Sequence, residues 1–282
     1  MVSIFNGGEV MILLTIFSIL GIISGVSIFF LMGQFNWYNY LILLLLVGGS
    51  ILIIIAIYAL LLLILSLLVS NKNDVKKIPK FYSFIVRETA SLLLILMNVR
   101  VTVIGKEKLP TKHALYVSNH ISGFDAMVVM RYVKSRPLAV VTKIEFLNRP
   151  ITGHLFHQAG FIHINRSDDY QAAKALVKGI EYMRHDEASV YICPEGTRNH
   201  NLDDLLPYHA GSFKMAYKAK KPIVVLAIKN TNIIKKNHIL KPTHVIFEVV
   251  RVYEYDEYKN INTNDLAEQI RVETLKALKE LK

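Results

Sequence analysis

No charged side chain occurs between Glu9 and Lys72 in this 282-residue chain, and that gap limits the possible folds more than any other feature. It holds two apolar stretches, residues 10–32 and 40–69. As helices they would extend ~35 Å and ~45 Å at a rise of ~1.5 Å per residue, against a bilayer core about 30 Å thick. A soluble helix as long as the second would carry a polar face. The connecting Gly33-Gln34-Phe35-Asn36-Trp37-Tyr38-Asn39 is short, polar and aromatic, as expected of a turn at headgroup level. The first stretch lacks the basic leader of a cleaved signal and is longer than its usual apolar region. Residues 1–71 are therefore expected to form a transmembrane hairpin. Lys72, Lys76, Lys77 and Lys80 follow the second stretch, whereas the connecting loop has no basic residue. The positive-inside rule then puts both termini and the remainder of the chain on the cytosolic side of the cell membrane. The single cysteine, Cys193, agrees with a reducing compartment.

Beyond Lys72 the sequence has the charge pattern of a soluble domain. All the basic residues behind the chain's formal net charge of +11 lie in this part, from Lys72 onward. With a hairpin holding it at a bilayer, that charge suits an anionic membrane surface and anionic substrates. No zinc-finger, helix-turn-helix or ribonucleoprotein motif is present, so nucleic acid is not expected as a partner. Residues 72–100 read as a basic linker followed by an interfacial helix over 81–97, with a core helix of the domain as the competing reading. Residues 101–282 alternate. Strand-like runs fall at 101–104, 114–117, 138–142, 161–164, 189–192, 223–228 and 245–250. Helical patterns fall at 126–132, 169–184, 212–219 and 265–281, with Ser167 or Asp168 and Asn262 or Thr263 as caps. This alternation predicts an α/β fold, a mixed sheet covered by helices.

Chemistry concentrates where strand-like runs end. His120 stands five residues before Asp125 in Asn119-His120-Ile121-Ser122-Gly123-Phe124-Asp125. A carboxylate at that spacing can set the imidazole tautomer while the imidazole takes a proton from a hydroxyl. For an isolated pair, a helix-start histidine beside an N-terminal aspartate competes with that reading. Two arginines follow: Arg166 in Gly160-Phe161-Ile162-His163-Ile164-Asn165-Arg166, and Arg198 in Pro194-Glu195-Gly196-Thr197-Arg198. Arginine offers a rigid fork of donors suited to phosphate. Gly196 admits close backbone approach and Thr197 adds a hydroxyl. Glu195 would orient Arg198 or cap the next segment. Ser118 and Ser122 lack a nucleophile-elbow motif. Cys193 ends an apolar run, where it fits better as a small buried hydrophobe than as a nucleophile. His154 and His157 share a helical spacing, but no metal-ligand set accompanies them, and no metal is expected.

Taken together, these blocks resemble the glycerophospholipid acyltransferase family, most of all its 1-acyl-sn-glycerol-3-phosphate acyltransferases. The resemblance rests on Asn119, His120 and Asp125; on Gly160, Ile162 and Arg166; on Pro194 through Arg198; and on Pro222-Ile223-Val224-Val225. It covers roughly residues 101–251. Departures are Val225 for a second proline, Cys193 for an aromatic, Asn199 for a serine, and Tyr208-His209-Ala210 where a lysine is usual. The resemblance implies transfer of a fatty acyl group from a thioester to the sn-2 hydroxyl of lysophosphatidate, giving phosphatidate. It implies no bound cofactor, with acyl-coenzyme A or acyl carrier protein as co-substrate. In that reading His120 and Asp125 are catalytic. Arg166, Arg198 and Lys143, with Gly196 and Thr197, bind the acceptor phosphate, and Asn119 and Glu195 support them. Glycerol-3-phosphate or another lysophospholipid as acceptor, or a non-catalytic lipid-binding protein, are the alternatives.

Overall fold

The computed structural model describes residues 12–31, 36–71, 74–165, 167–201, 203–237 and 239–281. The chain divides into two compact units, parting between Ser70 and Asn71.

The first unit is a pair of helices, α1 (Ile12–Leu31) and α2 (Trp37–Leu67). They run antiparallel: Phe17 packs edge-on against Tyr58, and Phe29 lies against Tyr40. Between these ring pairs a Cβ on Gly25 would come within 2.5 Å of Val47. Small residues thus let the backbones approach, as in helix pairs that lack a hydrophobic driving force. By length and composition one helix among the described residues, Tyr40–Leu67, is long and apolar enough to cross a membrane; the apolar part of α1, Thr15–Leu31, is shorter.

The second unit is α/β. After α3 (Lys80–Leu96) the order is β1 (Val99–Ile104), β2 (Leu115–Ser118), α4 (Phe124–Tyr132), β3 (Leu138–Lys143), α5 (Thr152–Gln158), β4 (Ile162–Ile164), α6 (Asp169–Arg184) and β5 (Ser189–Ile192). It continues with α7 (Lys214–Ala219), β6 (Ile223–Lys229), α8 (Ile234–Asn237), β7 (Thr243–Tyr253), α9 (Tyr255–Tyr258) and α10 (Thr263–Glu280). The seven strands form one mixed sheet in the order β1-β7-β6-β2-β5-β3-β4. All neighbours are parallel except β6 and β7, so β1 and β7 run opposite to the other five.

Strands β2 and β5 are buried at every position, as parallel strands covered on both faces should be. Leu115, Val117, Val190, Ile192, Ile223 and Val225 join the core shared with Met183, Phe213, Met215, Leu266 and Ile270. On the opposite face Tyr116 bonds Ser135, and Tyr132 of α4 lies against Phe247. Asp168 caps α6 by accepting from the Gln171 N–H, and Asn262 caps α10 by accepting from the Asn264 N–H.

Over most of its length α3 is a core helix, burying Ile85, Val86, Ala90, Leu92 and Leu94; Phe81, Leu93 and Leu96 are its exposed large apolar residues. An amphipathic pattern of this kind suits a protein interior as well as a lipid surface, so periodicity alone does not separate the two readings.

Candidate active site

The five co-directed strands end at one edge of the sheet, the usual ligand-binding edge of an α/β fold. The residues singled out from sequence follow those ends. His120 and Asp125 come after β2, Lys143 closes β3, and the Pro194–Arg198 block follows β5. Arg166 lies outside the described residues.

At the centre, His120 Nδ1 is 2.9 Å from Asp125 Oδ2. The same oxygen accepts the N–H groups of Ile121 and Ser122, each at 2.9 Å. The other oxygen accepts the hydroxyl of Thr231, which follows β6. Asp125 is thus a carboxylate held by four donors at the start of α4, where its charge also meets the helix N-terminus. Its side chain is 1% exposed, against 20% for His120. The carboxylate is enclosed, and the imidazole is the more accessible half of the pair. Because Nδ1 faces Asp125, Nε2 is the nitrogen open to chemistry.

Burial opposes protonation of His120. Negative charge at Cys193 and hydrogen bonds to Asp125 and Cys193 act in the opposite direction and raise the pKa.

Asn119 fastens the β2 end to β6. Its carboxamide donates to Ile228 O at 2.8 Å and accepts from Ile228 N–H at 2.9 Å, as a ladder residue would. Glu195 is buried and accepts from His120 N–H at 2.7 Å and Leu206 N–H at 3.1 Å. Burial raises its pKa, opposed by the bond from His120. The roles expected from sequence are orienting Arg198 or capping the next segment; in the structure the carboxylate bonds main chain, and its two oxygens tie the β5 turn to the histidine loop. Gly196 has φ +69°, a left-handed conformation that other residues adopt at a cost. Thr197 and Arg198 then emerge exposed. Arg198 Nη2 stands 3.3 Å from where a Cβ on Gly123 would sit, which puts its guanidinium over the histidine loop. Lys143 is exposed and pairs in register with Ile164 at the end of β4. It lies two strand positions from β2, or roughly 10 Å at about 4.8 Å per strand.

Cys193 is not the buried hydrophobe expected. It is half-buried, with Sγ 3.1 Å from the Tyr191 hydroxyl, which in turn meets Ser118 Oγ at 2.8 Å. Burial raises the Tyr191 pKa, so that hydroxyl stays protonated. His157 is buried and its ring stacks on His163, away from any ligand set. Among the described residues no group of three or more His, Cys, Asp or Glu could hold a metal. Sequence reasoning missed Thr231: a threonine just past a strand carries no local signal of an aspartate 106 residues earlier.

The mixed α/β domain thus carries a His–Asp pair, with an arginine beside it, at the carboxyl edge of its sheet. Residues 100–229 match the Acyltransferase family model. The chain is 26% identical over 199 residues to the 1-acyl-sn-glycerol-3-phosphate acyltransferase of Saccharomyces cerevisiae, covering 67% of this chain and 63% of that protein. It is 28% identical over 160 residues to the Escherichia coli protein of that name, covering 56% and 64%. Against the alpha form from Mus musculus it is 31% identical over 136 residues, covering 48% and 47%. The matches therefore span under two thirds of these relatives' lengths. Among solved structures, the 1-acyl-sn-glycerophosphate (LPA) acyltransferase PlsC from Thermotoga maritima shares the fold. Its TM-score is 0.61 at 19% identity, over 80% of this chain and 90% of that one.

Proposed function

We propose that this protein is a membrane-bound acyltransferase that moves a fatty acyl group from a thioester to the sn-2 hydroxyl of lysophosphatidate, forming phosphatidate. The observation that carries the reading is the His120–Asp125 pair with Arg198 over its loop. The named relatives support the choice of acceptor.

A hydroxyl is a weak nucleophile at neutral pH, so a base must take its proton during attack. His120 Nε2 takes it, and the hydroxyl oxygen bonds the thioester carbonyl carbon. The carbon–sulfur bond then breaks, and the leaving thiolate recovers the proton from the imidazolium. Asp125 stabilises that imidazolium. The thioester is already activated, so no covalent acyl-enzyme is required. Arg198, with Arg166 and Lys143, holds the acceptor phosphate and places the hydroxyl at Nε2, a positioning effect that can supply much of the rate. Acyl-coenzyme A and acyl carrier protein are both acidic donors suited to the basic domain.

In this reading α1 and α2 anchor the enzyme as a hairpin with both termini and the domain cytosolic. The lipid acceptor then reaches the site from the bilayer and the donor from the cytosol. The test is an assay of purified chain with lysophosphatidate and with glycerol-3-phosphate, each against both donors. Phosphatidate from lysophosphatidate supports the reading. Transfer only to glycerol-3-phosphate, or lipid binding without turnover, overturns it.

A further inference from the structure

The antiparallel β6 and β7 are joined by a long connection, although a two-residue turn would suffice for such a pair. It contains no acidic residue from Asn230 to Thr243 and carries Lys235, Lys236 and Lys241, all exposed. At its tip Ile239 is 60% exposed and Leu240 89%. Its base is tied by Asn237 Nδ2 to Thr243 Oγ1 at 2.9 Å. Asn98, just past α3, donates to Ile239 O at 3.4 Å and accepts from Thr243 N–H at 3.1 Å. The tip therefore lies beside the end of α3, where Leu93 and Leu96 are also exposed. Exposed apolar residues gathered in this way, rimmed by cations, mark an interaction surface rather than scattered surface leucines.

Topology places that surface. Strand β6 ends at the edge carrying His120. Strand β7 runs against β6 and so begins at that edge, and β1, parallel to β7, begins there too. The β6–β7 connection and the α3 end thus border the edge that carries the candidate active site. Near its start the connection carries Thr231, the partner of Asp125.

We propose that the Ile239–Leu240 tip is a bilayer contact of its own, separate from the N-terminal helices. It inserts among lipids while Lys235, Lys236 and Lys241 meet anionic headgroups. Apolar side chains flanked by lysines suit an interface whose headgroups are negative and whose interior is hydrocarbon. The contact would turn the catalytic edge toward the membrane. It rests on the membrane-bound part of the proposed function.

The test uses the full chain in vesicles of phosphatidylcholine and phosphatidylglycerol with brominated acyl chains. Trp37→Phe removes the native tryptophan, and Leu240→Trp or, as a control, Val272→Trp on α10 supplies the fluorescent probe. Vesicle flotation first reports whether the chain is membrane-bound; failure to float overturns the membrane-bound reading itself. For floating protein, blue-shifted and bromine-quenched emission from the Leu240→Trp variant is expected, beside unquenched emission from Val272→Trp. Replacing Lys235, Lys236 and Lys241 together by glutamate should abolish the quenching at position 240 while flotation persists. Red-shifted, unquenched emission from the tip probe overturns the inference. So does blue-shifted but unquenched emission, which would assign the tip to a protein partner such as a second copy of the chain.

Discussion

Replacing Asp125 by asparagine separates charge from geometry at this site. The amide oxygen can still accept from Ile121 and Ser122 N–H and from His120 Nδ1, now 2.9 Å from Oδ2. The amide NH2 turns to Thr231, whose hydroxyl then accepts. Volume hardly changes, so the fold should survive. What is lost is the negative charge beside the imidazolium that forms during attack. Unit charges about 4 Å apart at an effective dielectric of about 20 attract by about 4 kcal/mol. At about 1.4 kcal/mol per decade, that corresponds to on the order of a thousandfold in rate. The assay is kcat at saturating lysophosphatidate and thioester in vesicles, with circular dichroism to confirm folding. The expected result is a folded variant with kcat down about a thousandfold and acceptor KM little changed. A folded Asp125→Asn enzyme within about tenfold of the parent would refute the charge argument.

Thr231→Val should destabilise the fold by about 1.5–3 kcal/mol, the worth of a hydrogen bond to a charged group, and lower kcat; Thr231→Ser should restore both, as thermal melts and kinetics would show. Cys193→Ala should keep most activity. Complete loss of transfer in that variant would instead point to an acyl-enzyme on Cys193. Arg198→Ala should raise the acceptor KM by about ten- to a hundredfold, equivalent to about 1.5–3 kcal/mol for a charge-assisted bond, and leave the donor KM near normal; a donor-side defect alone would count against the phosphate role.

Much of the α/β unit is legible in the sequence for a physical reason. Strands buried on both faces, such as β2 and β5, read as unbroken apolar runs, and α6 and α10 carry caps at Asp168 and Asn262. Strand direction is not legible, because alternation of residues is the same whichever way β1 and β7 run. The His–Asp pair is legible because its partners are five residues apart. The bonds that hold it are not. Thr231 and Glu195 reach it across the sheet edge, and Asn119 meets Ile228 across 109 residues. Cys193 misleads because an apolar run predicts burial, whereas its position past the end of β5 leaves the sulfur half-exposed beside the pair.

The central claim is that His120 removes the proton from the acceptor hydroxyl. Its most direct test is the rate of labelled acyl transfer to lysophosphatidate by folded, membrane-bound His120→Ala. The account predicts that phosphatidate formation is abolished while lysophosphatidate still binds. Near-normal transfer by that variant would contradict it.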